Sequence, residues 1–195
     1  PTGQQYASHL RKISEILDLP IQEQTTVLRI SKIGDEFVID TEDSTLRARH
    51  VVWAAGEFQY PRTIGFEGSE FCQHTSMIHC YADLEGDDFI IIGGYESGVD
   101  AAYHLASRGL DVHLFDRECP WRVSTSDPSI ALSIYSQQRM REPCFQDHVT
   151  LHPDSPVRSV IHNGDVYEVT TEDDELFSTP VQPILASGFF GSHLL

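Results

Sequence analysis

The 195-residue sequence predicts an α/β fold in which a strand–turn–helix–strand unit stands between two groups of antiparallel strands. A continuous apolar run, Phe89 to Ile92, is followed by a glycine turn and by a segment with helical spacing. Short runs of strand-forming residues precede this unit and also follow it. Hydrophobic residues make up 40% of the chain and charged residues 22%, so a packed core is expected.

The first part of the chain is predicted to be a helix followed by an antiparallel β-meander. The apolar residues of one helical face recur at Tyr6, Leu10, Ile13 and Leu17. Pro20 closes this segment. Strand-like runs follow at 26–33, 36–41 and 46–54, with turn-forming residues between them. Residues 57–88 show no clear period and are predicted to be a connection with one short helix.

The central unit begins with a strand at Phe89–Ile92 that is apolar throughout, as expected for a strand buried on both faces. A helix is predicted from Ser97 to Arg108, with Gly109 as its left-handed C-terminal cap. A second strand at Val112–Phe115 completes a β-α-β unit of about the length of one mononucleotide-binding half.

After this unit, Ser126-Asp127-Pro128 has the composition of a helix start and predicts a helix from Pro128 to about Gln138. Strands are then predicted at 149–152, 157–162 and 166–171. The last segment of this pattern is Pro-Ile-Leu-Ala-Ser-Gly at 183–188.

Charge and cysteine spacing exclude several functions. The net charge is −17 with only 13 Lys and Arg residues and no basic cluster, which argues against a nucleic acid partner. No apolar run approaches the ~20 residues of a membrane span, so no membrane association is expected. The four cysteines, Cys72, Cys80, Cys119 and Cys144, form no C-x-x-C pair, and the ten histidines do not cluster. We therefore expect reduced thiols, no metal site and a cytoplasmic location.

Two segments of the chain resemble each other, 37–58 and 167–190. Each contains a strand with Thr, an acidic Thr-Glu-Asp turn, a second strand and a triplet of small residues. The triplets are Ala54-Ala55-Gly56 and Ala186-Ser187-Gly188. Small residues at the carboxyl end of a strand allow backbone to approach a ligand closely. The repeat favours two nucleotide-binding units over a chance similarity of hairpins, although only one glycine turn is present.

The glycine turn matches two of the three glycines of the fingerprint G-x-G-x-x-G. Gly93 permits the tight turn and Gly98 permits the helix to pack against the strand, whereas Tyr95 replaces the middle glycine. The next strand ends at Asp116, 23 positions after Gly93 and near the ~20 expected for a ribose-binding carboxylate. We therefore favour a nucleotide site over a plain strand-to-helix corner. The residues expected at the diphosphate are Gly93, Gly94, Tyr95, Glu96, Ser97 and Gly98.

The residues after the second strand leave the choice of dinucleotide open. Asp116 would accept a hydrogen bond from a ribose 2′-hydroxyl, which favours NAD. Arg117 and Arg122 would instead hold a 2′-phosphate, which favours NADP. A third possibility is that both arginines are surface residues exposed to solvent. Sequence spacing alone does not decide among these possibilities.

Several motifs together resemble the two-dinucleotide flavoproteins, in particular flavin-containing monooxygenase-like and thioredoxin-reductase-like oxidoreductases. Val-Val-Trp-Ala-Ala-Gly at 51–56 with Pro61 is similar to that family's V-V-x-A-T-G…P, and Ile78-His79-Cys80 to its I-H-S. The run Gly-Gly-Tyr-Glu-Ser-Gly-Val-Asp-Ala-Ala at 93–102 resembles a bacterial branch of flavin monooxygenases and low-molecular-weight-thiol disulfide reductases. The closing run 184–189 extends the likeness over nearly the whole chain.

The resemblance implies a fragment with a complete Rossmann-like NAD(P)H-binding domain at 57–187 and partial FAD-domain segments at 1–56 and 188–195. NADP or NAD would pass hydride to FAD in the intact protein, and the flavin would then reduce oxygen or a disulfide on a small-molecule substrate. The small residues that would flank the cofactor between domains are Ala54, Ala55, Gly56, Ser187 and Gly188. A homodimer is among the assemblies left open, and no residue is assigned as catalytic acid, base or nucleophile.

The sequence departs from the family pattern at three points. Ala55 and Ser187 stand where the family's triplets carry Thr, and Tyr95 stands in the glycine turn. The stretch before the turn has no C-x-x-C, so dithiol chemistry of the thioredoxin-reductase kind is not expected. These departures keep two alternatives open: a non-catalytic dinucleotide sensor, and a degenerate domain that binds nothing.

Overall fold

The computed structural model describes residues 3–56, 58–127 and 129–190. The chain forms two compact units, which meet in sequence between Ala55 and Gly56. Among the described residues no helix combines the length and the apolar character that crossing a membrane requires.

The first unit contains the predicted helix and meander. Helix α1 covers Gly3–Ile16. Strands β1 (Val27–Ile33), β2 (Glu36–Thr41) and β3 (Thr45–Ala48) form an antiparallel sheet in the order β1-β2-β3. The third strand was predicted to reach residue 54 and ends at Ala48. Its pairing stops there because Ala48 lies opposite Phe37, next to the first residue of β2.

The second unit is built on a five-stranded parallel sheet with the strand order β4-β11-β5-β6-β7. Its strands are β4 (Gln73–His74), β5 (Asp88–Ile92), β6 (Asp111–Phe115), β7 (Val149–His152) and β11 (Ile184–Leu185). Before β5 the chain makes short 3-10 turns at Ser69–Phe71, Thr75–Met77 and Tyr81–Asp83, where a single short helix was predicted.

One face of this sheet is covered by helices. Helix α2 covers Glu96–Ala106 and buries Val99, Ala102 and Leu105 against Phe89 and Ile91 of β5 and their neighbours. Gly109 adopts a φ of +76°, the left-handed conformation predicted for the residue that follows the helix. Apolar residues at helical spacing thus drive α2 onto the sheet, as predicted.

Two shorter helices follow on the same face, α3 (Ile134–Arg139) and α4 (Pro143–His148). The predicted helix from Pro128 to Gln138 was wrong in its start. Pro128 lies outside the described residues, and α3 begins only at Ile134, where the Ser133 hydroxyl accepts the Ser136 N–H at 3.2 Å. Asp127 does not cap this helix, because its carboxylate accepts the N–H and hydroxyl of Ser129 in a local turn.

The other face of the parallel sheet is covered by an antiparallel sheet. Strands β8 (Val157–His162), β9 (Tyr167–Thr171) and β10 (Leu176–Thr179) form it in the order β10-β9-β8. Val157, Val160 and Val169 pack against Ile90 and Ile92. Successive residues of β5 therefore point into two different cores, which explains why this strand is apolar throughout. The α/β fold with a parallel sheet is confirmed.

Candidate nucleotide-binding site

A cavity of about 650 Å³ lies at the carboxyl ends of β5, β6 and β11. Ile92, Gly93, Phe115, Leu185 and Ser187 line it from the sheet. The other walls are formed by residues 62, 64–66, 117–118, 120, 123, 129–130 and 155–157, together with Tyr95 and Asp116. The volume falls in the range of small-molecule sites, and open parallel sheets bind ligands at this edge.

The glycine turn is tightly packed at its first and third glycines. Gly93 has a φ of +106°, and its N–H donates to the Phe115 carbonyl at 2.9 Å. A Cβ on Gly93 would lie 2.5 Å from the carbonyl oxygen of Ala186, and a Cβ on Gly98 would collide with the carbonyl oxygen of Gly93. Only residues without a side chain therefore allow the strand, the turn and α2 to approach this closely.

The Asp116 carboxylate ties the glycine turn to the loop after β6. Its Oδ2 accepts the Gly94 N–H at 2.6 Å, and its Oδ1 accepts the N–H groups of Glu118 at 2.7 Å and Cys119 at 2.8 Å. Trp121 lies against Gly94 so closely that a Cβ there would collide with the indole. A carboxylate offers about four lone-pair sites, so these three bonds leave Asp116 about one more for a ligand.

The side chains of Tyr95 and Glu96 are directed to the segment before α3. The Tyr95 hydroxyl donates to the Ala131 carbonyl at 3.2 Å. The Glu96 carboxylate accepts the Ser133 N–H, the Ser133 hydroxyl at 3.0 Å and the Ser136 hydroxyl at 2.5 Å. Glu96, Ser97 and Gly98 form the first turn of α2, whose N–H groups have no acceptor within the helix. Of the predicted diphosphate residues, Gly93 and Tyr95 line the cavity, whereas residues 94 and 96–98 do not. Because the N–H groups of Gly93 and Gly94 are already bonded within the protein, the first turn of α2 is the part that has N–H groups to offer a ligand.

The two predicted phosphate-binding arginines are separated in the structure. Arg117 is exposed and lines the cavity, and no described carboxylate lies within ion-pair distance of it. Arg122 forms an ion pair with Asp154 at 2.9 Å, with both side chains more than half exposed, and does not line the cavity. Arg117 is therefore the one predicted arginine in position to meet a ligand there.

Ser187 and Gly188, which follow β11, are held in place by Arg62 and His74. Sequence reasoning predicted neither of these two residues. The Gly188 carbonyl accepts the Arg62 N–H and the ring Nε2–H of His74, both at 3.0 Å, and the Ser187 hydroxyl donates to the Arg62 carbonyl. His74 is buried, which lowers its pKa, and its Nδ1 accepts the Ser76 N–H, so the ring is neutral. A two-residue strand carries no period that would have indicated His74.

The two small-residue triplets differ in their position relative to the preceding strand and to the cavity. Ser187 lines the cavity, directly after β11 and Ala186, and Gly188 has a φ of +77°. Gly56 also has a positive φ, +70°, and belongs to the second unit, while Ala54 and Ala55 belong to the first. The second triplet thus follows its strand closely as predicted, whereas the first lies several residues beyond β3.

A family model of pyridine nucleotide-disulphide oxidoreductases matches residues 1–195. The chain belongs to this family. Flavin and nicotinamide cofactors are those expected for it, and the predicted resemblance to flavin-dependent oxidoreductases is confirmed.

Several solved structures share the fold. The bacillithiol disulfide reductase Bdr (YpdA) of Bacillus cereus superposes with a TM-score of 0.74 at 19% identity, over 99% of this chain and 58% of that one. The ornithine N-hydroxylase KtzI of Kutzneria sp. 744 gives 0.74 at 16% identity, over 97% and 59%. A flavin-containing monooxygenase of Stenotrophomonas maltophilia gives 0.72 at 17%, over 95% and 56%.

Curated relatives match a shorter stretch. The protein named "Uncharacterized oxidoreductase CzcO" of Bacillus velezensis is 27% identical over 111 residues, which are 54% of this chain and 32% of that protein. Its Bacillus subtilis counterpart is 26% identical over 110 residues, with the same coverage. The chain thus spans about a third of the curated relatives it matches and just over half of the solved structures.

Proposed function

We propose that this chain supplies the NAD(P)H-binding domain of an FAD-dependent oxidoreductase, with residues 57–187 as that domain and 1–56 and 188–195 as parts of the FAD domain. The observation that carries the proposal is the cavity at the carboxyl edge of the parallel sheet, bordered by the glycine turn. When bound, the nicotinamide would supply hydride, which the flavin of the intact enzyme would accept.

The glycine turn fits a diphosphate. Gly93 and Gly98 let the start of α2 pack directly against the ends of β5 and β11, since a Cβ at either position would collide with backbone. The turn and the first N–H groups of α2 then form what we call the backbone cradle. Diphosphate oxygens placed there would accept the N–H groups of Glu96 and Ser97, helped by the positive end of the helix dipole. Tyr95 leaves this cradle accessible because its hydroxyl is bonded to Ala131 and its ring packs against the core.

We further propose NADPH as the dinucleotide. Arg117 stands at the cavity without an ion-pair partner among the described residues, so its guanidinium is available to a 2′-phosphate. Asp116 already accepts three backbone N–H groups and has about one lone-pair site left for a ribose hydroxyl. Ser187, which lines the cavity, and the adjacent Gly188 would flank the cofactor within the second unit.

The electron acceptor is proposed to be oxygen or the disulfide of a small molecule. The similar structures include a bacillithiol disulfide reductase and a flavin-containing monooxygenase, which represent these two outcomes. Neither outcome needs a dithiol in this chain, which has no C-x-x-C motif.

A titration with NADPH and NADH tests the binding step. Because Trp121 lies against Gly94, its fluorescence should change as the turn is occupied, with NADPH binding at least tenfold more tightly than NADH. Absence of binding by either dinucleotide at millimolar concentration would reject the proposal in favour of a degenerate domain. For the redox step, the full-length protein should purify with FAD and oxidise NADPH; a colourless protein that cannot take up FAD would instead indicate a sensor.

A further inference from the structure

One face of α2 carries three residues that all contact α3. Glu96, Asp100 and Tyr103 are spaced four and three residues apart, which places them on the same side of the helix. Asp100 forms an ion pair with Arg139, and the Arg139 guanidinium lies 4.7 Å from the centre of the Tyr103 ring. Helix α3 is therefore fastened to α2 at its last residue by charge and aromatic contacts.

The start of α3 is fastened by Glu96. Its carboxylate accepts three hydrogen bonds from Ser133 and Ser136, while the Ser133 hydroxyl also accepts the Ser136 N–H. Ser136 is buried, with 3% of its surface exposed, so its hydroxyl needs the partner that Glu96 provides. Hydrogen bonds to a charged acceptor are about twice as strong as neutral ones.

The segment just before α3 forms part of the cavity wall. Ser129 and Ile130 line the cavity, and the next residues, Ala131 and Leu132, are buried. The Ala131 carbonyl accepts the Tyr95 hydroxyl, one residue before Glu96 in the glycine turn. Two consecutive residues of the turn thus hold residues 129–133, which we name the α3 wall, beside the cavity.

We propose that Tyr95 and Glu96 are positioning residues that fix the α3 wall against the glycine turn and thereby set the affinity for a dinucleotide. This inference rests on the proposed function, since the wall matters for affinity only if the cavity binds that ligand. Glu96 acts through the wall, because both of its carboxylate oxygens already accept hydrogen bonds from Ser133 and Ser136. A carboxylate aimed at the diphosphate would instead repel it.

Substitution of Glu96 distinguishes these roles. In the 195-residue chain, Glu96→Gln should weaken NADPH binding about three- to tenfold and Glu96→Ala more than tenfold, measured by calorimetry. If Glu96 faced the diphosphate, Glu96→Gln would remove a repulsive charge and tighten binding, which would overturn the proposal. Glu172→Gln, on an exposed turn of the second unit, is the matched control and should bind like the parent.

A double-mutant cycle and hydrogen exchange complete the test. Ser133→Ala with Ser136→Ala should reproduce part of the loss. Adding Glu96→Ala to this pair should then weaken binding less than Glu96→Ala does in the parent, since only the bond from the Ser133 N–H is left to lose. Fully additive losses would contradict the proposal that Glu96 acts through these two serines. Amide exchange of residues 129–136 should accelerate in Glu96→Ala and Glu96→Gln even without ligand. This readout separates the two proposals. If the parent binds no dinucleotide, the proposed function fails, whereas unchanged exchange by itself overturns the proposal that Glu96 fixes the α3 wall.

Discussion

Gly98 provides the sharpest test of how the glycine turn is built. It is the third residue of α2, and a Cβ at this position would collide with the carbonyl oxygen of Gly93. The obstacle is backbone at the end of the buried strand β5, so no flexible side chain can move aside. Gly98→Ala must therefore push α2 away from the turn or displace the turn itself.

The expected change in the free energy of unfolding of Gly98→Ala follows from two opposing effects. Replacing Gly by Ala in a helix ordinarily stabilises it by about 1 kcal/mol. Overpacking a well-packed site costs about 1–3 kcal/mol, and a collision with backbone belongs at the upper end of that range. The net result is a loss of about 1–2 kcal/mol. For a domain of this size each kcal/mol lowers Tm by roughly 2–4 °C, which gives a decrease of about 2–8 °C.

Thermal unfolding followed by circular dichroism, together with NADPH titration, measures both consequences. Gly3→Ala is the matched control, because a Cβ on Gly3 meets nothing within 4 Å at the exposed start of α1; it should leave the affinity unchanged and should not lower Tm. Gly98→Ala should also lose at least tenfold in affinity, because the cradle formed with Gly93 is displaced. A variant with the parent's Tm and affinity would refute the packing role assigned to Gly98.

Three further predictions concern charge and thiol chemistry. Burial and a neighbouring histidine ring lower the pKa of His152 to about 4. In the unfolded chain a histidine binds a proton near pH 6.5, so protonation favours unfolding between these two values. The free energy of unfolding should therefore fall by about 1–2 kcal/mol, after allowance for solvent screening, as the pH drops from 6.5 to 4. Urea unfolding at a series of pH values should show that the free energy of unfolding depends less on pH in His152→Gln than in the parent. Arg117→Ala should weaken NADPH binding about tenfold and NADH binding less than twofold, whereas Arg122→Ala should change neither in the same titration. Burial raises the pKa of Cys72 to about 12, so iodoacetamide at pH 8 should label exposed Cys80 at least tenfold faster, as measured by peptide mass spectrometry.

The elements that sequence reasoning predicted well are those whose pattern is local. Strand β5 and helix α2 bury whole runs or whole faces, so their apolar spacing is visible in the chain itself. The start of α3 was missed because Asp127 and Ser133 both have the composition of a helix cap. Only the structure shows that Asp127 bonds to Ser129 and that the Ser133 hydroxyl receives the helix N–H.

The candidate site was predictable where it coincides with the fingerprint and with the second small-residue triplet, which contributes Ser187. Gly93, Asp116 and Arg117 follow strand ends and were found by spacing. The opposite walls come largely from loops at 62–66 and 155–156, which have no periodicity to signal them. The bonds of Glu96 join residues 37 and 40 positions apart, and a single sequence carries no sign of such a pairing.

Tyr95 is the residue on which the sequence left the function most open, and its backbone explains how the site accommodates it. Its φ of −82° and ψ of −164° are extended values that any residue adopts, so this position does not need glycine for its conformation. Glycine is required there only if a side chain would enter the ligand's space. The Tyr95 hydroxyl is bonded to Ala131, its ring packs on the core, and a cavity of about 650 Å³ remains beside it. The substitution that weakens the fingerprint is therefore compatible with the proposed dinucleotide.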